Sequence, residues 1–253
     1  LVKNPQIRAG GCGALGYHTG PLATAEDDAV LLQCETEDRE GTAQACGWLH
    51  AETLETLVEL NELALAVLAE QAAARGAAAS LLLRQVAEVW RSLDAPARRR
   101  AASCPYLLVD AGFADPLRWR QTPAPQVGDA AHAAYTAFFT VPAATLLARL
   151  VFTYAWHLAR TQSAAARLLL GMQAPSIALI RHYTLCQIQV LAENHLEWLR
   201  PRWPARVQVW RELLQAAASG EPASLERARL RGLTLLAAEA RLAPRLARAA
   251  QLP

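Results

Sequence analysis

Between residues 51 and 75 the leucines recur at three- and four-residue spacing, as Leu54, Leu57, Leu60, Leu65 and Leu68 in AETLETLVELNELALAVLAEQAAAR. That period is one face of an amphipathic helix, and Gly76 offers it an end. The next stretch, SLLLRQVAEVWRSLDAPARRRAA, predicts another helix or a pair broken near Asp94-Ala95-Pro96. In CPYLLVDAGFADPLRW the period is lost, because Pro105, Gly112 and Pro116 forbid one continuous helix; an irregular packing segment rich in aromatics is expected there. TPAPQVGD, residues 122–129, concentrates proline, glycine and polar residues and is the expected linker, with a boundary near 125.

The helical period returns in AAYTAFFTVPAATLLARLVFTYAWHLARTQSAAARLLLGM, where Pro142 suits the first turn of a long helix. TQSAAARLLL, IALIRHY and TLCQIQVLAENH follow as three more helices, the last with Thr184 as its N-cap. LRPRWPARVQVW turns on Pro201 and Pro204, and RELLQAAASG and SLERARLRGLTLLAAEARLAPRLARAA complete a bundle. Residues 1–50 read as a glycine-rich, then acidic, partly looped segment, with a short acid-capped helix over TAEDDAVLLQCETED. The expected fold is all-α, a multi-helix bundle in three parts, 1–50, 51–125 and 126–253.

Composition agrees with helices: alanine, leucine and arginine dominate, and 53% of the residues are hydrophobic against 19% charged. A net charge of +2 does not by itself argue for nucleic acid. Its distribution is uneven, with acids at Glu26-Asp27-Asp28 and Glu35–Glu40 and a basic end from Arg200 onward. Lys3 is the only lysine, so an arginine- and alanine-rich coding bias accounts for much of this. The five cysteines, Cys12, Cys34, Cys46, Cys104 and Cys186, are odd in number and scattered, which favours reduced thiols. No apolar run reaches the roughly 18 residues of a membrane span. The start, LVKNPQIRAGGCG, lacks the apolar core of a secretory signal, so a soluble cytoplasmic protein with no membrane role is expected.

Candidate chemistry is sparse. GCGALG places Gly11, Gly13 and Gly16 as a G-x-G-x-x-G, but neither a strand before it nor a helix after it is expected. Cys46 and His50 are four apart, yet no CxxC pair anchors a metal site around them. No G-x-S-x-G, H-E-x-x-H or phosphate loop occurs. His157 reads as a hydrogen-bonded core residue, and His195 as a complement to the end of a helix. The expectation is no enzyme, no cofactor, no metal and no small-molecule substrate.

The sharpest local feature is RLLLGMQAPSIALIRHYTL, residues 167–185, which has the form of a helix-turn-helix. Gly171 supplies the turn and Ile177 and Ile180 the inner face of the second helix, while Ser176, Arg181 and His182 would point outward. Arg181 could reach a phosphate or a guanine edge. Arg167, however, stands where a small residue usually lets two such helices meet, and Ala178 and Leu179 offer nothing to a base. A purely structural turn is as good a reading. Arg200, Arg202 and Arg206 surround Trp203 and read either as a phosphate clamp or as a solvated turn with Trp203 as its buried anchor.

LVFTYAWHLARTQSAAARLLLGMQAPSIALIRHYTLCQIQVLAENHLEWLRPRW resembles FlhD, a subunit of the bacterial flagellar master regulator, and related regulators on mobile elements. The resemblance is carried by a long apolar helix, then Ala166, Leu169, Leu170 and Gly171, then I-x-x-I, T-L-x-Q-I-x-x-L-A-E from Thr184 to Glu193, and a basic-aromatic end at Arg200–Trp203. It covers about residues 145–205. It implies an all-helical transcriptional regulator subunit that acts on DNA with a zinc-containing, FlhC-like partner subunit, and it leaves a homo-oligomer open. The alternative is a helical adaptor or assembly protein that keeps the fold without a DNA role. The family's members are considerably shorter than this chain. The extra half echoes the second: residues 56–83 are similar to 145–170, and Trp119 and Trp203 close the two segments. A diverged internal duplication is the resulting hypothesis.

Overall fold

The computed structural model of the chain describes residues 49–75, 80–120 and 138–249. Outside them lie the glycine motif at 11–16, the acid-capped helix, Cys12, Cys34 and Cys46, and the linker at 122–129. Among the described residues the fold is all-α: eleven helices and one antiparallel pair of two-residue strands.

The leucine stripe forms helix α1, Ala51–Arg75, and buries Leu57, Leu60, Leu65 and Leu68, with Leu54 left at the edge. The stretch expected as one or two helices is three: α2 (Leu81–Gln85), α3 (Ala87–Ser92) and α4 (Ala95–Ala102). Asp94 caps α4 by accepting from the Ala97 N–H at 2.7 Å. Strand β1 (Val109–Asp110) and helix α5 (Pro116–Arg120) occupy the segment expected to be irregular.

Helix α6 runs Val141–Thr161 with its proline in the first turn, as expected, and Thr140 accepts from the Ala143 N–H to cap it. Then come α7 (Ser163–Leu170), α8 (Ala174–Ile180), α9 (Leu185–Asn194), a 3-10 turn at Leu196–Trp198 and strand β2 (Arg200–Pro201). Thr184 and Gln187 make a reciprocal capping box at the start of α9. Helices α10 (Val207–Ser219) and α11 (Pro222–Ala249) end the described chain. No helix is long and apolar enough to cross a membrane among the described residues.

The expected boundary near 125 does not divide two cores. The described residues fall in one compact unit, and those on either side of 125 share a single hydrophobic cluster. What the two stretches do share is an order of elements. Each runs long helix, short helices, capped helix, two-residue strand, tight turn, helix, at a near-constant spacing along the chain. The turns match in detail. Gly112 (φ +73°) and Trp203 (φ +53°) both hold left-handed backbone, and the Asp115 and Arg206 N–H groups donate back to their carbonyls at 3.0 and 2.9 Å. Trp119 therefore corresponds to Trp210, not to Trp203 as the sequence spacing suggested. Each indole N–H donates back to the turn before it, to Gly112 O at 3.1 Å and to Arg202 O at 2.7 Å.

Some of the contacts between the two stretches are reciprocal, although α4 also packs on α10 with no equivalent packing of α9 on α5. Helix α4 packs on α1 as α9 packs on α6, whereas α3 lies against α10 and α8 against α5, each across to the other half. Helix α1 meets α6, and β1 pairs antiparallel with β2, Val109 opposite Pro201 and Asp110 opposite Arg200. Asn61, fully buried on α1, secures the strand approach. Its amide donates to Ala102 O and Tyr106 O, and its oxygen accepts from the Leu108 N–H.

Candidate nucleic-acid interface

Helix α7 ends because Gly171 turns left-handed at φ +72°, with its N–H on Arg167 O and the Met172 N–H on Ala166 O. A side chain there would bring its Cβ to 2.7 Å from Leu236 Cδ1 of α11. Close approach and backbone conformation together demand glycine. Beyond the turn, Ile177 and Ile180 are buried as the inner face of α8. Ser176 is buried too, and its Oγ has no hydrogen-bond partner. This overturns its expected outward position: α8 is wedged between α5 and α6, and that face of so short a helix has no open side. The outer face of α8 is Ala174, Pro175 and Ala178, which present no side-chain donor or acceptor. Arg181 ends the helix and His182 follows in the turn; both are exposed.

Arg202 lies inside the protein, only 4% exposed, and leaves no room for a phosphate. Its Nε donates to Leu107 O at 2.8 Å, and one terminal nitrogen donates to Leu170 O at 2.9 Å and, at 3.5 Å, to Val109 O. The guanidinium fork thus holds together the end of α7 and the strand approach of the other half. Its expected role as a DNA contact is corrected on this ground. Burial lowers its pKa, an effect opposed by Asp110 and Glu239. Arg200 is half-exposed but engaged, with two donors on Asp110 Oδ2 at 3.1 and 2.8 Å. Burial works to raise the Asp110 pKa, yet Arg202, Arg200 and the Phe113 N–H outweigh it and hold the carboxyl below its ordinary value. Trp203 is the buried anchor, with its indole N–H on Glu239 Oε1 at 2.7 Å and its ring 5.6 Å from Tyr106. Arg206 is exposed at the start of α10.

No protein-family model, curated protein or solved structure matches this chain.

One set of exposed arginines is linked through Tyr183, half-buried just after Arg181 and His182. Its hydroxyl donates to the carbonyl of Trp119, whose neighbour is Arg120. Its own carbonyl accepts from the Trp156 indole N–H at 2.7 Å, and Arg160 lies over that indole with its guanidinium carbon 4.9 Å from the ring. Three elements carrying Arg120, Arg160 and Arg181 are therefore tied to one residue. All three arginines are exposed, and none has an acidic partner among the described residues. Arg120 and Arg160 escaped the sequence reading. The available signal was an arginine one residue after Trp119 and four after Trp156, but the link to Tyr183 is tertiary.

The histidines give no second site. His157, expected in the core, is exposed on α6 beside α1, where it lines an open groove. His195 ends α9 as expected but is buried, with Nδ1 2.9 Å from Glu197 and its ring stacked 4.3 Å from Trp198. Cys104 is buried, and desolvation pushes its thiol up to about 12, so it stays protonated. Among the described residues no three His, Cys, Asp or Glu side chains gather as a metal site requires.

Proposed function

We propose that this chain is a subunit of a transcriptional regulator that holds DNA by its phosphates while a partner subunit reads the bases. The observation that carries the reading is that Tyr183 ties together the elements bearing Arg120, Arg160 and Arg181, all exposed and none with an acidic partner among the described residues. Such a cluster suits the phosphate backbone, which positions a protein without specifying sequence. The bare outer face of α8 leaves base reading to another subunit, and the FlhD resemblance supplies its kind, an FlhC-like zinc protein in the cytoplasm. Arg206 and His182 are peripheral contacts in this reading.

The same bare face of α8 favours a second reading, a helical adaptor that touches no DNA. Fluorescence anisotropy with duplex DNA across a salt series, with and without a co-purified partner, separates the two. A regulator subunit binds with an affinity that falls steeply with salt, and R120A/R160A/R181A flattens the log–log slope by about 0.9 for each phosphate that is no longer neutralised. A slope unchanged in that variant, or no binding even with the partner, refutes the regulator reading.

A further inference from the structure

Helices α1 and α6 pack against each other, and beside their contact they leave a groove of about 970 Å³. Its walls are equivalent by position. Counted from the two helix starts, Thr56, Glu59 and Leu60 on α1 stand where Leu146, Arg149 and Leu150 stand on α6. The equivalent walls have diverged in chemistry. The α6 wall exposes two leucines among polar neighbours: Leu146 is 51% exposed and Leu150 41%, with Thr153, His157 and Thr161 farther along the helix. Its one cation, Arg149, is already paired with Glu193 of α9 at 2.7 Å. The α1 wall carries Glu52 and Glu59, both exposed, and neither has a cationic partner among the described residues.

We propose that this groove docks an amphipathic helix of a partner protein, its apolar face on Leu146 and Leu150 and its basic flank along Glu52 and Glu59. From Leu146 to His157 the wall runs about 16 Å, three turns of helix, which fits one short segment lying lengthwise. The inequality of the walls selects that occupant. A single helix with one apolar face and one basic flank satisfies both walls at once, leucines on one side and glutamates on the other. The proposal does not rest on the DNA role.

The test uses the full chain and two synthetic probes, an amphipathic leucine–lysine peptide and its leucine–glutamate counterpart, each labelled for fluorescence anisotropy. The leucine–lysine peptide is expected to bind saturably and the leucine–glutamate peptide to stay at background. E52Q/E59Q is expected to weaken the leucine–lysine peptide about tenfold, the loss of two partly screened ion pairs. L146S/L150S, which alters only exposed positions and so spares the core, weakens it at least as much. Equal binding of the two peptides, indifference to both variants, or no binding at all overturns the proposal. So does a wild-type dimer in sedimentation that L146S/L150S converts to monomer, because the groove then belongs to a second copy.

Discussion

The guanidinium of Arg202 donates to the carbonyl of Leu170, the last residue of α7, at 2.9 Å. The residue that turns the chain and the arginine that follows strand β2 are thus parts of one joint, since Gly171 has Arg202 Nη1 as well as Leu236 at its bare Cα. Replacing Arg202 by methionine keeps the length of the side chain but orphans the carbonyls of Leu107 and Leu170 and strips Asp110 of a counter-charge. The expected cost is about 3–5 kcal/mol, read as a lowered midpoint in urea unfolding. R202K recovers little of it, because an ammonium cannot span the carbonyls that the planar fork reaches.

Gly171→Ala should cost about 1–3 kcal/mol, part from the left-handed backbone and part from the overlap with Leu236. The two parts separate in a double-mutant cycle. In an L236A background the further cost of G171A falls to the backbone share, about 1–2 kcal/mol. Strict additivity would mean that Leu236 does not confine the turn.

Asp110 makes stability depend on acid. Its folded pKa is lowered by Arg202 and Arg200 against the opposing effect of burial, so its contribution is complete above the unfolded value of about 3.9. That contribution is lost as pH falls through the lowered folded value. Urea unfolding at stepped pH should show wild type weakening through this window, while D110N, less stable at neutral pH, gives a flatter curve there. Parallel curves for the two proteins would remove Asp110 from the account.

Ser176→Ala is expected to leave stability unchanged or raise it by up to about 1 kcal/mol, since a buried hydroxyl without a partner contributes only its desolvation cost. DNA affinity should not move either. A loss of DNA affinity in S176A at unchanged stability would restore the second helix as a base reader.

Local chemistry made the helices legible. Pro142, Thr184 and the capping box with Gln187 fix helix starts by interactions within four residues, and sequence carries all of that information. The inner face of α8 was legible for the same reason, through the spacing of Ile177 and Ile180. Ser176, His157 and Arg202 were not, because the environment of each is decided by a distant helix or strand. An arginine in a proline-rich turn looks solvated until residues 107–109 are known to pass beside it. Asn61 reads as a mere interruption of a leucine stripe, although its amide fixes the approach to β1. The tandem order can be suspected from helices alone, but sequence spacing pairs Trp119 with Trp203 where the structure pairs it with Trp210. Trp203 copies the backbone of Gly112, a likeness that no alignment of side chains would suggest.

The strand clasp should slow folding. Helical bundles usually assemble from neighbours in sequence and so fold fast. Here Arg200 meets Asp110 across 90 residues, Arg100 caps Ala217 across 117, and Arg211 reaches Gln85 across 126. The chain must close those loops before the exchanged helices have anything to pack against, and each closure costs entropy in advance of its reward. By composition this is a helical protein, but its refolding should keep the slower tempo of proteins built on distant strand pairs.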